Sequence, residues 1–152
     1  MQLIASLTSP FARKIRILLL EKAIPCELVV DIPWNADTQV PHYNPLGKVP
    51  VLVSDAGQPI YDSPVIAEYL DTVVSEPLFL PDDRRRAIDV KLGEALADGI
   101  VDAAVAIFVE RKRPPERQDG EWIDRQQGKI EHGLTALVKQ LCGGRYLVDG
   151  QL

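Results

Sequence analysis

The chain of 152 residues contains only two cysteines, Cys26 and Cys142, far apart and outside any Cys-x-x-Cys or Cys/His spacing. Neither a disulfide framework nor a zinc site is indicated, and this cysteine usage fits a reducing compartment. Positive charge is not in excess either: 17 Lys and Arg stand against 22 Asp and Glu, a net charge of −5. That balance gives no global basic field to gather nucleic acid or an anionic membrane, and leaves only local positive sites. Long hydrophobic runs are missing as well. The longest, Ala103 to Val109, falls far below the ~18 residues that would cross a bilayer, and Met1 to Ser6 has no basic n-region of a signal peptide. The expectation is a soluble, cytoplasmic protein without internal repeats or low-complexity tracts. What is present is ordinary globular material: 46% hydrophobic and 26% charged residues, enough for a core, in a length that allows one domain or two small ones.

Gln2 to Ser6 reads as a short buried strand. Thr8-Ser9-Pro10 then sets a hydroxyl cap before a proline suited to the first helical position. Phe11, Ile15, Leu18 and Leu19 supply one apolar helical face, and the pattern stops before Pro25. Glu27 to Asp31 is a second strand, so the segment forms a right-handed βαβ unit with parallel pairing. Pro33 to Pro50, rich in proline and polar residues, reads as a long irregular connection with one helical turn, and loops of this length are usually functional. Val51-Leu52-Val53 and Pro59-Ile60-Tyr61 flank Asp55-Ala56-Gly57-Gln58 as two antiparallel strands around a turn. Asp62-Ser63-Pro64 repeats the cap-then-proline signature, with Val65, Ile66, Tyr69, Leu70 and Val73 as the expected buried stripe. After a linker over residues 77–81, Ile88, Leu92, Leu96, Ile100, Ala103 and Ile107 predict a helix over residues 82–112, ~46 Å long at ~1.5 Å per residue. Pro114-Pro115 ends it. Trp122, Ile130, Leu134, Leu137, Val138 and Leu141 predict another, stopping at Cys142-Gly143-Gly144.

The plan is an α/β thioredoxin-like domain, β-α-β-loop-β-β-α, over residues 1–76, followed by a partial all-α helical domain over residues 82–152. Chemistry in such folds sits at the start of the first helix, here Thr8-Ser9-Pro10-Phe11-Ala12. Glutaredoxins resemble this segment but carry cysteine where Ser9 stands, and disulfide exchange needs a thiolate, so a glutaredoxin-type cycle at this position is excluded. The chain instead resembles the glutathione transferases, specifically bacterial members with an N-terminal serine, over its whole length. The resemblance rests on Ser9-Pro10-Phe11-Ala12-Arg13-Lys14, on Asn44-Pro45-Leu46-Gly47-Lys48-Val49-Pro50-Val51-Leu52, on Asp62-Ser63 followed by Ile66-Ala67-Glu68-Tyr69-Leu70, and on the helical second half. It implies glutathione as co-substrate, an electrophilic small molecule as its partner, and a homodimer.

The resemblance makes Ser9 the catalytic residue. An ordinary thiol has a pKa of about 8.5, and lowering it by ~2 units takes ~2.7 kcal/mol. A hydroxyl donating to a charged acceptor supplies roughly 1.5–3 kcal/mol, and a helix N-terminus about 0.3–2. Ser9 combines both, with Thr8 as the rival donor; the competing reading is that Ser9 only caps its own helix. In the family the Val49-Pro50 bond is cis, so that the Val49 backbone pairs with the cysteinyl part of glutathione and Lys48 meets the glycyl carboxylate. The alternative is a trans Pro50 opening an edge strand beside a solvated lysine. Asp62 and Ser63 begin a helix whose free amides suit the γ-glutamyl carboxylate, with Asp62 toward the α-amine, unless one of them is merely the N-cap. Arg13, His42 and the pair Asp98 and Asp102 are weaker candidates, read mainly as solvated. Trp34 and Phe108 are candidates for an acceptor pocket, or core fill, and Arg84-Arg85-Arg86 reads as a solvated helix face.

Family members continue past Tyr146-Leu147-Val148-Asp149-Gly150 into a capping box and further helices, so the chain is expected to be incomplete at its C-terminal side. Two functional readings follow: an enzyme that activates the glutathione thiolate, or a non-catalytic binding or protein-interaction module on the same fold. A reductase or isomerase using the same glutathione half is not separable from a conjugating enzyme at this level.

Overall fold

The computed structural model describes residues 1–141 together with Gly144 and Leu147. The chain divides into two compact units, Met1–Leu80 and Pro81–Leu152. The first contains β1 (Gln2–Ala5), α1 (Pro10–Glu21), β2 (Glu27–Val30), a 3-10 turn at Val40–His42, β3 (Val51–Val53), β4 (Pro59–Ile60) and α2 (Ser63–Val73). The sheet order is β2-β1-β3-β4. β1 runs parallel to β2, with Leu3 opposite Leu28, and antiparallel to β3, which is antiparallel to β4. This is a thioredoxin-like arrangement. Alternation along the strands divides the core between the two sheet faces. Leu3, Ala5, Leu52 and Ile60 pack with Ala12, Ile15 and Leu19 of α1 and with Ile66 and Leu70 of α2. On the opposite face Ile4 and Val51 pack with Val40 of the long connection. The stripe expected on α2 is narrower than its sequence suggested: Ile66 and Leu70 are buried, but Val65 and Val73 are exposed. They point away because the buried face follows Ser63, Ile66 and Leu70, at helical spacing from the first residue.

The C-terminal end of α1 explains why the helix stops well before Pro25. Ile24 N–H donates to Leu19 O (2.9 Å) and Ala23 N–H to Leu20 O (3.0 Å), the paired bonds of a Schellman motif, and Ala23 takes φ 51°. Left-handed geometry at a residue with a Cβ costs roughly 1–2 kcal/mol. Ala23→Gly is therefore expected to raise the unfolding free energy by about 0.5–1 kcal/mol, the larger unfolded-state entropy of glycine taking back part of the gain; urea denaturation checks this.

The second unit is a helical hairpin. α3 (Arg84–Glu110) and α4 (Gly120–Leu141) are joined through a 3-10 turn at Pro115–Arg117. α3 is shorter than expected, about 40 Å at ~1.5 Å per residue, because the Asp83 carboxylate caps it by accepting from Arg86 N–H (2.9 Å). Asp119 caps α4 in the same way, accepting from Trp122 N–H (3.0 Å). The buried stripes differ from the expected ones. On α3 Ala103 and Ile107 are buried, whereas Ile88 and Leu92 are exposed; on α4 Gln126 and Gly133 are buried, whereas Leu134 and Val138 are exposed. On α4 the reason is close helix approach at Gly133, where an added Cβ would fall 2.5 Å from Ile100 Cγ1 and 2.8 Å from its Cδ1. That contact turns the Gln126–Gly133 face inward and leaves Leu134 and Val138 off it. Gly133→Val is expected to destabilise the hairpin by about 1–3 kcal/mol through overpacking, a loss readable as a lower melting temperature. Leu141 is the last helical residue described; Cys142, Gly143, Tyr146 and Val148, which carried the expected stop and the alternation beyond it, lie outside the described residues. Among the described residues no helix is long and apolar enough to cross a membrane.

Candidate functional site

Strand direction brings three distant segments to one edge of the sheet. β1 and β4 both run antiparallel to β3, so they point the same way, and each leads directly into a helix. Ser9 before α1 and Asp62-Ser63 at α2 therefore both lie beyond the C-terminal ends of their strands. β3 runs the opposite way, so Lys48-Val49-Pro50, which enters it, arrives at that same edge. The Val49-Pro50 peptide is cis, as the resemblance implied, and so is Tyr61-Asp62.

Ser9 is the N-cap of α1, its Oγ accepting from Ala12 N–H at 3.2 Å. A hydroxyl has two acceptor lone pairs and one proton. Capping uses a lone pair, so the competing reading of Ser9 as a cap is true without excluding donation to an anion. Thr8, the rival donor, is exposed, and its Oγ1 lies 2.9 Å from the hydroxyl of buried Ser6. Ser6 also accepts Ser9 N–H at its carbonyl (3.1 Å), which fixes the turn entering the helix.

The α2 start differs. Asp62 is the N-cap by position, but its side chain makes no capping bond. The first intrahelical bond runs from Ile66 N–H to Asp62 O (2.9 Å). The amides of Ser63 and Val65 have no partner within the helix, and Pro64 has no N–H. Asp62 is exposed and Ser63 is buried. The arrangement offers two amides and the positive end of a helix dipole to an anion, with a carboxylate beside them for a cation.

Lys48 is exposed, Val49 half-buried and Pro50 buried. Their presentation depends on Asn44, whose role the sequence reading missed although its motif was noticed. Asn44 is buried; its Nδ2 donates to Lys48 O (2.9 Å), its Oδ1 accepts from Leu46 N–H (3.0 Å), and its carbonyl accepts from Gly47 N–H (2.8 Å). Gly47 takes φ 62°, a region glycine enters without a Cβ penalty. An asparagine three residues before a glycine, in a proline-rich loop, was the available signal.

The weaker candidates scatter. Arg13 is exposed in the first turn of α1, and His42 is exposed on the 3-10 turn. Asp98 and Asp102 sit on α3 in the second unit, half-buried and exposed respectively. Trp34 and Phe108 are exposed rather than core, and Lys112 Nζ stands 4.4 Å from the Phe108 ring centroid. Arg84, Arg85 and Arg86 are exposed, as a solvated face requires. Cys26 precedes β2, at the sheet edge away from Ser9, and burial pushes its thiol up, so it stays protonated near neutral pH.

Comparison with known proteins bears on the same segments. A family model described as "Glutathione S-transferase, N-terminal domain" matches residues 8–73. The uncharacterised GST-like protein YibF of Escherichia coli is 46% identical over all of this chain, which spans 72% of that protein. A glutathione S-transferase of Methylobacillus flagellatus, solved with glutathione bound, is 40% identical with a TM-score of 0.95 over 99% of this chain and 74% of its own. One from Methylobacterium radiotolerans, in complex with glutathione sulfonate, is also 40% identical at a TM-score of 0.95, over 99% of this chain and 71% of its own.

Proposed function

Because the chain belongs to the glutathione S-transferase family, we propose that it is an enzyme that binds glutathione, holds the thiol as a thiolate with Ser9, and directs it at an electrophilic small molecule. The observation that carries this reading is the contrast between the two helix starts on one sheet edge. α1 is capped by a hydroxyl that still has its proton, whereas α2 leaves two amides open beside Asp62. In this reading the α2 amides and Ser63 take the γ-glutamyl carboxylate, and Asp62 takes the α-amine. The Val49 backbone pairs with the cysteinyl residue, and Lys48 meets the glycyl carboxylate. The sulfur then lies at Ser9, whose O–H donates to it and whose helix adds its dipole. The thiol proton leaves to solvent when glutathione binds, and attack then forms a carbon–sulfur bond while the bond from that carbon to the electrophile's leaving group breaks, the electron pair departing with the leaving group as an anion to solvent. The solved relatives with glutathione or its sulfonate bound support the ligand. The same reading includes a homodimer in a reducing cytoplasm, to which the protonated Cys26 is suited.

Calorimetry of glutathione binding from about pH 5 to about pH 9, in buffers of different ionisation heat, tests the reading. Saturable binding with proton release at neutral pH is the expected result. Absence of binding to a folded chain overturns it and favours an interaction module.

A further inference from the structure

At the far end of the same two helices lies a buried ion pair that the proposed reaction does not touch. Lys22, the C-cap of α1, has a fully buried side chain, and Asp71 on α2 is 10% exposed. Lys22 Nζ lies 2.8 Å from Asp71 Oδ1 and donates to Val74 O (2.7 Å) and Pro77 O (2.6 Å), so all three ammonium protons are used. Its Nζ also stands 4.7 Å from the Phe79 ring centroid. The Asp71 carboxylate accepts Phe79 N–H (3.1 Å) and Leu80 N–H (2.9 Å) as well.

We propose that the Lys22–Asp71 pair is a positioning device, which sets the axial register of α1 against α2 and thereby the separation of Ser9 from the α2 N-terminus. The buried residues that the two helices contribute to their shared core are aliphatic, Ala12, Ile15 and Leu19 from α1 and Ile66 and Leu70 from α2. Such packing is non-directional and tolerates sliding. The directional bonds that run from Lys22 Nζ to Asp71 Oδ1 and to the carbonyl of Val74, the C-cap of α2, do not. α1 has 12 residues, about 18 Å at ~1.5 Å per residue, and is stiff on that scale. A slide at Lys22 is therefore carried along the helix to Ser9, against the one backbone bond from Ser9 N–H to Ser6 O, and a displacement of about 1 Å between reacting groups costs up to ~10²-fold in rate. The functional half of this inference rests on the glutathione reading.

The test is Lys22→Met/Asp71→Leu, which removes both charges and keeps an apolar fill, a kind of replacement that buried ion pairs commonly tolerate. Two quantities are read in the full chain. One is the distribution of distances between spin labels at Ile17→Cys on α1 and Val73→Cys on α2, both exposed positions, with Cys26→Ser and Cys142→Ser in the background. The other is the glutathione Kd, with the pH at which the bound thiol ionises. The expected result is a folded variant with a broadened distance distribution, a Kd raised about 10-fold and thiol ionisation moved to higher pH. A folded variant with an unbroadened distribution overturns the proposal. So does a broadened one with unchanged Kd and ionisation. If the variant does not fold, Asp71→Asn, which keeps the shape and an acceptor, is read by the same criteria. A parent chain that binds no glutathione while the distribution still broadens in the variant overturns the glutathione reading and leaves the register role standing.

Discussion

Lys22→Ala is expected to lower the unfolding free energy by about 3–5 kcal/mol, the cost of leaving one partner of a buried pair uncompensated. Asp71 would keep its bonds from Phe79 and Leu80 N–H but lose its cation at 2.8 Å, and the carbonyls of Val74 and Pro77 would lose their donor. The lost aliphatic stem, buried on the α1 face beside Leu19, adds to this. Denaturant melts of the parent and of Lys22→Ala give the difference directly. A loss under about 1 kcal/mol would mean that the pair behaves like a solvated one. Lys22→Met/Asp71→Leu is expected to recover the part of the loss due to the uncompensated charge and the missing stem, but not the part due to the Val74 and Pro77 carbonyls, and it also leaves Phe79 and Leu80 N–H without their acceptor.

The second large effect concerns Ser9, an observed helix cap to which the proposed reading gives a second function on the same oxygen. Ser9→Ala removes the cap on Ala12 N–H, worth about 1 kcal/mol of stability. In the proposed reading it also removes a donor worth roughly 1.5–3 kcal/mol to a thiolate. At 1.36 kcal/mol per pH unit, the pKa of bound glutathione should rise by about 1–2 units, and the rate near neutral pH should fall by about 10- to 100-fold. Ser9→Asp separates the two, because aspartate caps as well as serine but cannot donate when ionised and repels a thiolate. Its stability should match the parent while thiolate formation is lost. The ultraviolet absorbance of bound thiolate across pH reports ionisation without requiring knowledge of the acceptor. If Ser9→Asp ionises glutathione as the parent does, Ser9 is only a cap.

The two helix starts of the candidate site were legible because such starts are written locally. A hydroxyl or carboxylate followed by proline marks Thr8-Ser9-Pro10 and Asp62-Ser63-Pro64 within three residues each, and the helices begin where those signatures stand. The difference between them was not legible. That Ser9 Oγ turns onto Ala12 N–H while Asp62 caps nothing depends on how the chain enters each helix from its strand. Lys22 is a sharper case. Its spacing from Ile15 and Leu19 puts it on the buried face of α1, a signal that a lysine there needs a partner. Which partner was beyond reach, since Asp71, Val74 and Pro77 lie some fifty residues further along.

The sequence by itself determined the order and kind of the elements, β-α-β-loop-β-β-α and then helices, because capping, periodicity and turn residues act between near neighbours. Tertiary structure decided which faces are buried and what meets at the site. The apolar stripes of α2 and α4 were drawn wider in the sequence than packing uses, since Val65, Val73, Leu134 and Val138 have the right residue type but the wrong angle to the neighbouring layer. The joining of Ser9, Val49 and Asp62 at one edge follows from strand pairings such as Ile4 with Val51 and Leu52 with Ile60. Pairing free energy depends on both strands at once, so neither segment carries it alone.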